Sequence, residues 1–231
     1  MRLTWFRRRP LLRWSLLLLV PLLVSCSSST GAGISPGCSD AIAPCLQGKA
    51  TVTMTTDKGE ITIAVDGDAA PLTAGNFVDL VRRGTYDGTM FHRVVREPVP
   101  FVVQGGDPNS KDRSTLINQL GGGSFVDPDT GQARQIPLEV KFKNEESPRY
   151  NRITSNPSEL TQLELSHERG SVAMARSQDP GSASAQFYIA LRPLPELDGR
   201  YAVFGQVVQG LDVVDSIQQG DRITSAKLKE S

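Results

Sequence analysis

Phe91-His92-Arg93 is followed closely by Phe101-Val102-Val103-Gln104-Gly105-Gly106-Asp107. Together they set an arginine, a phenylalanine and a glutamine on two neighbouring apolar segments ahead of a Gly-Gly break. A guanidinium stays charged and offers several rigidly placed donors. Such a group suits hydrogen-bond donation from a fixed cation beside an apolar wall. Gln186-Phe187-Tyr188-Ile189 and Leu197-Asp198-Gly199-Arg200-Tyr201-Ala202-Val203-Phe204-Gly205 repeat the mixture of aromatic and polar residues. Other chemistries lack their residues. Cys38 and Cys45 form one pair with no histidine nearby, at most half of a zinc site. His92 and His167 both lie far downstream of them. Gly121-Gly122-Gly123 is not followed by the Gly-Lys-Ser/Thr of a phosphate loop, so a flexible surface loop is expected there. No metal and no cofactor are expected.

The elements that must position these residues are short. Val52 and Met54 alternate with threonines, Asp57-Lys58-Gly59 supplies a turn, and Ile61, Ile63 and Val65 alternate with polar residues. This pattern predicts a β-hairpin with one buried face. Pro71 opens a helix at its first turn. Ala74, Phe77, Val78 and Val81 fall on one face of it, and Gly84 ends it. Strands are expected at 91–95, 101–104, 171–176, 186–191, 202–207 and 222–229, with a short helix at 211–217. Ile136-Pro137-Leu138-Glu139-Val140 reads as one more strand within the otherwise loop-like stretch from Asp107 to Gly170. There the pair Glu145-Glu146 reads as solvated surface. Many short strands and two helices predict a mainly β fold closed into a barrel.

The chain has 231 residues, with 25 basic against 25 acidic side chains. The balance is uneven along the sequence. Arg2, Arg7, Arg8, Arg9 and Arg13 precede Cys26 and no acid does, which leaves 20 basic against 25 acidic residues beyond it. A mildly acidic body without a basic tract is a poor nucleic-acid binder. The N-terminal arginines lead into Trp14–Val24, an apolar run shorter than the roughly 17–25 residues of a membrane span. Leu23-Val24-Ser25-Cys26 closes that run and resembles a bacterial lipobox, in which the cysteine thiol is lipidated and becomes the mature N-terminus. The expected organisation is a lipoprotein signal peptide over 1–25, a Ser/Gly/Pro-rich flexible tether over 26–49 and one domain over 50–231. The protein is then exported and lipid-anchored to a bacterial membrane on the envelope side. In an oxidising compartment Cys38 and Cys45 could form a disulfide across their short loop or remain two free thiols in the tether.

From about Ala50 to the C-terminus the ordered motifs resemble the cyclophilins, which are peptidyl-prolyl cis-trans isomerases. The resemblance implies a closed eight-stranded antiparallel barrel with a helix plugging each end. It also implies action on proline-containing polypeptides, here as a monomer. Arg93 matches the catalytic arginine, with His92 beside it as structural support. A strand alternates faces, so His92 and Arg93 should point opposite ways. Phe101, Val102, Tyr188, Leu197 and Tyr201 match the proline pocket. Gln104 and Gln186 match the amides that orient the arginine and bind the substrate backbone. Ala175 and Arg176 match the segment that pairs with the peptide. There are departures. Arg96-Glu97-Pro98-Val99-Pro100 lengthens the turn before Phe101, and Val102 replaces methionine. Tyr188 replaces phenylalanine, so its hydroxyl needs a partner if buried. Tyr201 stands where histidine is frequent, and Glu196 where an aromatic residue is usual. The last change and the long turn leave room for an alternative, a non-catalytic module of the same fold that holds proline-containing segments of an envelope partner.

Overall fold

Alternating apolar and polar residues produce the first hairpin as expected. In the computed structural model, which describes residue 1, residue 38 and residues 43–229, strands β1 (Lys49–Thr56) and β2 (Gly59–Asp66) pair in antiparallel register from Lys49↔Asp66 to Thr56↔Gly59. Val52, Met54, Ile61, Ile63 and Val65 all turn into the core. Helix α1 (Pro71–Arg82) follows. Its end is a Schellman turn: Gly84 sits at φ +64°, its N–H donates to Val81 and that of Thr85 donates to Leu80. The start of α1 has no side-chain cap of its own, because Ala70 occupies the N-cap position. A distant carboxylate replaces it. Glu139 accepts from the N–H groups of Leu72 at 3.1 Å and Thr73 at 2.7 Å, and from the Tyr150 hydroxyl at 2.9 Å.

The remaining strands are β3 (Arg93–Val95), β4 (Val102–Gly105), β5 (Glu139–Val140), β6 (Arg149–Tyr150), β7 (Ser171–Met174), β8 (Phe187–Ala190), β9 (Val203–Gln209) and β10 (Ile223–Leu228). Two further helices are α2 (Pro157–Leu160), a single turn, and α3 (Leu211–Ser216). Eight strands form one antiparallel sheet in the order β10-β1-β2-β9-β7-β8-β4-β3, while β5 and β6 pair separately. The expected closed barrel is therefore a curled sheet, open between its edge strands β3 and β10. Those strands do not pair with each other. The segment before β3 instead meets the start of β10 and the residues ahead of it, through the Met90↔Arg222 bridge, the Phe91 N–H to Asp221 bond of 2.8 Å and the Ile223 N–H to Thr89 bond of 2.8 Å. Strand β3 is short because the chain leaves the ladder at Arg96, whose guanidinium crosses to the carbonyls of Val214 and Ile217 at the end of α3.

The core inside the curl holds Phe77, Tyr86, Phe187 and Phe204, with ring centroids 4.8–5.6 Å apart in tilted and edge-on pairs. Burial raises the Tyr86 phenol far above its ordinary range, and its hydroxyl donates to the Ala185 carbonyl.

The packed part of the domain reaches back before Lys49. Cys38 and Cys45 are joined by a disulfide, Cys38 and Ala43 are buried in the core, and the Leu46 N–H donates to the Pro71 carbonyl. A side chain at Gly75 would collide with the Pro44 carbonyl, which lies 2.0 Å from where its Cβ would be. Glycine is what allows this segment to lie on α1. Cys26, the signal segment and the earlier tether lie outside the described residues. Among the described residues no helix is long and apolar enough to cross a membrane.

The stretch from Asp107 to Gly170 is less regular than the sheet. Of the expected strand 136–140, only Glu139–Val140 pairs with a neighbouring strand. Pro137 lacks an N–H, and Ile136 makes a single bridge to Ala183. Glu145, expected as solvated surface, grips Arg149, which also reaches Glu159 at 3.0 Å.

Candidate active site

Period-2 alternation builds the site on the outer face of the sheet. Along β4, β7 and β8, Val103, Val172, Met174, Phe187 and Ile189 point into the main core. Their neighbours Val102, Ala173, Tyr188 and Ala190 form a second apolar cluster with Leu194 and Val203, flanked by Phe101, Ala175, Leu197 and Tyr201. Above this cluster lies a cavity of about 270 Å³ lined by Arg93, Phe101, Val102, Gln104, Ala175, Arg176, Tyr188, Leu197 and Tyr201. The fold thus brings together every residue expected in the proline pocket.

Arg93 opens β3 and is exposed, while His92 beside it is buried, as alternation requires. Burial holds the His92 imidazole below its ordinary range. Among the described residues no carboxylate pairs with Arg93. Its Nη1 instead donates to Gln104 Oε1 at 3.3 Å, and its guanidinium carbon lies 5.9 Å from the centre of the Phe101 ring. Register explains the first contact, because Arg93 faces Gln104 across the β3–β4 ladder. A chain of amides continues from there. Gln104 Nε2 donates to Gln186 Oε1 at 3.2 Å, and Gln186 Nε2 donates to the Gly123 carbonyl at 2.9 Å. Each link fixes which amide atom is acceptor and which is donor, so the arginine has one preferred direction.

The glycine triplet, expected as a flexible loop, is the foot of this chain. Buried Asp107 accepts from the N–H groups of Asn109 at 2.9 Å, Gly121 at 2.6 Å and Gly123 at 3.1 Å. A Cβ on Gly123 would lie 1.9 Å from the Asp107 carboxylate, so only glycine permits this approach. Sequence reasoning missed Asp107. Its position directly after Gly105-Gly106 was the available signal.

Other site residues are placed as follows. Tyr188 and Tyr201 meet edge to face at 5.8 Å, and the Arg176 guanidinium lies 4.7 Å over Tyr201. Arg176 also donates to the carbonyls of Arg200, Ser177 and Gln178, which turns it toward the chain's own backbone. A second cavity, about 220 Å³, adjoins the first and shares Gln104, Ala175 and Arg176 with it. The Tyr188 hydroxyl has its partner in His167 Nε2 at 2.8 Å, and His167 Nδ1 lies 2.7 Å from Asp198 Oδ1. Sequence reasoning missed both His167 and Asp198. Glu196 is exposed and pairs with Arg192, which also donates to the Pro100 carbonyl; the two departures at Glu196 and the long turn therefore meet in one rim contact. A backbone hydrogen bond from its own N–H, then the Arg192 guanidinium, holds the Glu196 carboxyl below its usual range.

Comparison with known proteins follows the same lines. The family model described as cyclophilin type peptidyl-prolyl cis-trans isomerase/CLD matches residues 51–230. A putative thylakoid lumen peptidyl-prolyl cis-trans isomerase of Synechocystis sp. is 42% identical over 195 residues, covering 80% of this chain and 48% of that protein. A chloroplastic peptidyl-prolyl cis-trans isomerase of Arabidopsis thaliana is 35% identical over 209 residues, covering 80% of this chain and 43% of that protein. The chain thus spans less than half the length of either relative. The crystal structure of a cyclophilin from Hirschia baltica superposes with a TM-score of 0.52 at 26% identity, covering 80% of this chain and 76% of that one.

Proposed function

The chain belongs to the cyclophilin-type peptidyl-prolyl cis-trans isomerase family, and from that premise we propose that it accelerates rotation about X-Pro bonds in exported polypeptides, with Arg93 as the catalytic residue. The observation that carries this reading is the state of Arg93. It is a cation free of any carboxylate among the described residues, held by Gln104 at the lip of a cavity with an apolar floor of Val102 and Tyr188.

An X-Pro bond resists rotation by ~18–20 kcal/mol because resonance gives it double-bond character. No bond has to break. Twisting the amide makes its nitrogen pyramidal and exposes a lone pair. An N–H of Arg93 donated to that nitrogen stabilises the twisted form more than the planar one, which is differential binding of the transition state. Phe101, Val102, Tyr188, Leu197 and Tyr201 would hold the proline ring and exclude water, strengthening the electrostatic effect. Gln104 and Gln186 orient the arginine and offer amides to the substrate backbone, which runs past Ala175. Each 1.36 kcal/mol removed from the barrier is worth tenfold in rate. Line-shape or exchange measurements on a short X-Pro peptide, with and without the purified protein, test the proposal. Unaltered exchange rates at saturating protein would refute it.

The exported context is supported by the N-terminal segment and by the lumenal and chloroplastic names of two relatives. The lipid anchor rests on Cys26 alone. Cys26→Ser cannot form the thioether. The wild type is expected to carry a lipid mass increment and to fractionate with membranes, and the variant to lose both. Equal membrane retention of the two forms, with no lipid mass on the wild type, would remove the anchor from the proposal.

A further inference from the structure

Tyr188 lines the proline pocket, yet its hydrogen-bonding group points away from any ligand. The hydroxyl meets His167 Nε2 at 2.8 Å, beneath the pocket. The His167 side chain is 0% exposed, and its ring lies nearly parallel to that of Tyr188, 10° apart in plane. On its other side Nδ1 approaches Asp198 Oδ1 at 2.7 Å, and the same oxygen accepts the His167 backbone N–H at 2.8 Å. The His167 carbonyl accepts from Leu194 at 2.8 Å. Asp198 directly follows Leu197, a wall of the pocket, and ends the 3-10 turn Pro195–Leu197. One buried residue therefore ties the floor of the pocket to its wall.

The proton placement follows from the inventory of donors. A carboxylate only accepts, so Nδ1 carries a proton and donates to Asp198, while Nε2 and the Tyr188 hydroxyl share the second hydrogen bond. Burial raises the Tyr188 phenol well above its ordinary range, so the hydroxyl keeps its proton. With its hydroxyl engaged below, Tyr188 offers the pocket only ring carbon.

We infer that His167, supported by Asp198, is a positioning residue that fixes the Tyr188 ring as the apolar floor of the proline pocket and sets its distance from the Leu197 wall. The inference rests on the proposed function but concerns binding of proline rather than the step assigned to Arg93. A buried hydroxyl deprived of its partner is costly, so the ring must shift to recover one, and a displaced floor should weaken peptide binding about tenfold.

The test is a double-mutant cycle on the full protein: wild type, His167→Leu, Tyr188→Phe and both together. KM, kcat and the dissociation constant of an X-Pro peptide are measured, with thermal melting as a control. In His167→Leu, KM and the dissociation constant should rise about tenfold while kcat stays within about twofold. In the double variant the orphaned hydroxyl is gone, so both constants should return to within about threefold of Tyr188→Phe alone. If His167→Leu does not fold, Asp198→Asn replaces it in the cycle, with a smaller rise and the same rescue. Unchanged binding in the single variant, a fall in kcat with binding intact, or strictly additive effects would overturn the inference. Wild type that binds the peptide without speeding its exchange would strike the proposed function and leave the cycle readable through the dissociation constants. Wild type that does not bind would overturn both.

Discussion

Arg93→Ala should lower kcat/KM for X-Pro isomerisation by about 10²–10³-fold, the usual loss when one preorganised donor to a transition state is removed. The melting temperature should stay within about 2 °C of wild type, because an exposed side chain without an ion pair contributes little to stability. The split matters, since a core defect would move both quantities. Arg93→Lys keeps the charge but not the planar fork. A single ammonium cannot both bond Gln104 and address the amide nitrogen in the same geometry, so most of the loss should persist. Gln104→Ala should fall between, since it frees Arg93 to rotate without removing it. Kinetics of the three variants beside their melting curves decide the matter. Near-wild-type activity in Arg93→Ala would end the proposed mechanism.

What the sequence conveyed about this site was its outer layer. Arg93, Gln104 and Gln186 sit in motifs whose order survives translation into the fold, and a period of two predicts that Val102 and Gln104 share a face. The helix Pro71–Arg82 was bounded by residues with local effects, a proline that cannot donate and a glycine that can adopt positive φ. The supports beneath were not legible, and the reason is physical. Asp107 acts on backbone N–H groups 14 and 16 residues away, and His167 meets Asp198 across 31 residues. Such contacts leave no periodic signature, and the Gly105-Gly106 break before Asp107 does not name its partners. One was signalled indirectly: a tyrosine in place of phenylalanine at a buried position demands a partner, and His167 is that partner. The closed barrel was misjudged for a related reason. Strand count predicts curvature, but closure depends on whether the edge strands run far enough to pair. The antiparallel Met90↔Arg222 bridge sets the residues before β3, rather than β3 itself, against the start of β10.

Glu139→Ala should destabilise the domain by about 2–4 kcal/mol, read as a fall of about 5–15 °C in melting temperature. The first turn of a helix leaves N–H groups without partners, and a nearby side chain normally takes them up. Here Ala70 cannot, and the Glu139 carboxylate, from a strand 67 residues from Leu72, takes two of them beside the positive end of the helix. Alanine would leave both buried and unpaired. Glu139→Gln keeps one oxygen acceptor and should lose less. Acidity distinguishes the two substitutions further. Burial, the largest influence on this group, raises the Glu139 carboxyl above its ordinary value, against the opposing pull of Thr73, Leu72 and Tyr150. With the folded value above the unfolded one, the folded protein binds the proton more tightly. The associated stability is complete below the unfolded glutamate value of about 4.3 and declines as pH rises through the folded value. The stability of wild type relative to Glu139→Gln should therefore be greatest near pH 4 and shrink toward neutral pH. Denaturant unfolding of both proteins across that range measures it, and a gap that widens with pH would show that the carboxylate is held as the anion by the helix end more strongly than burial opposes it.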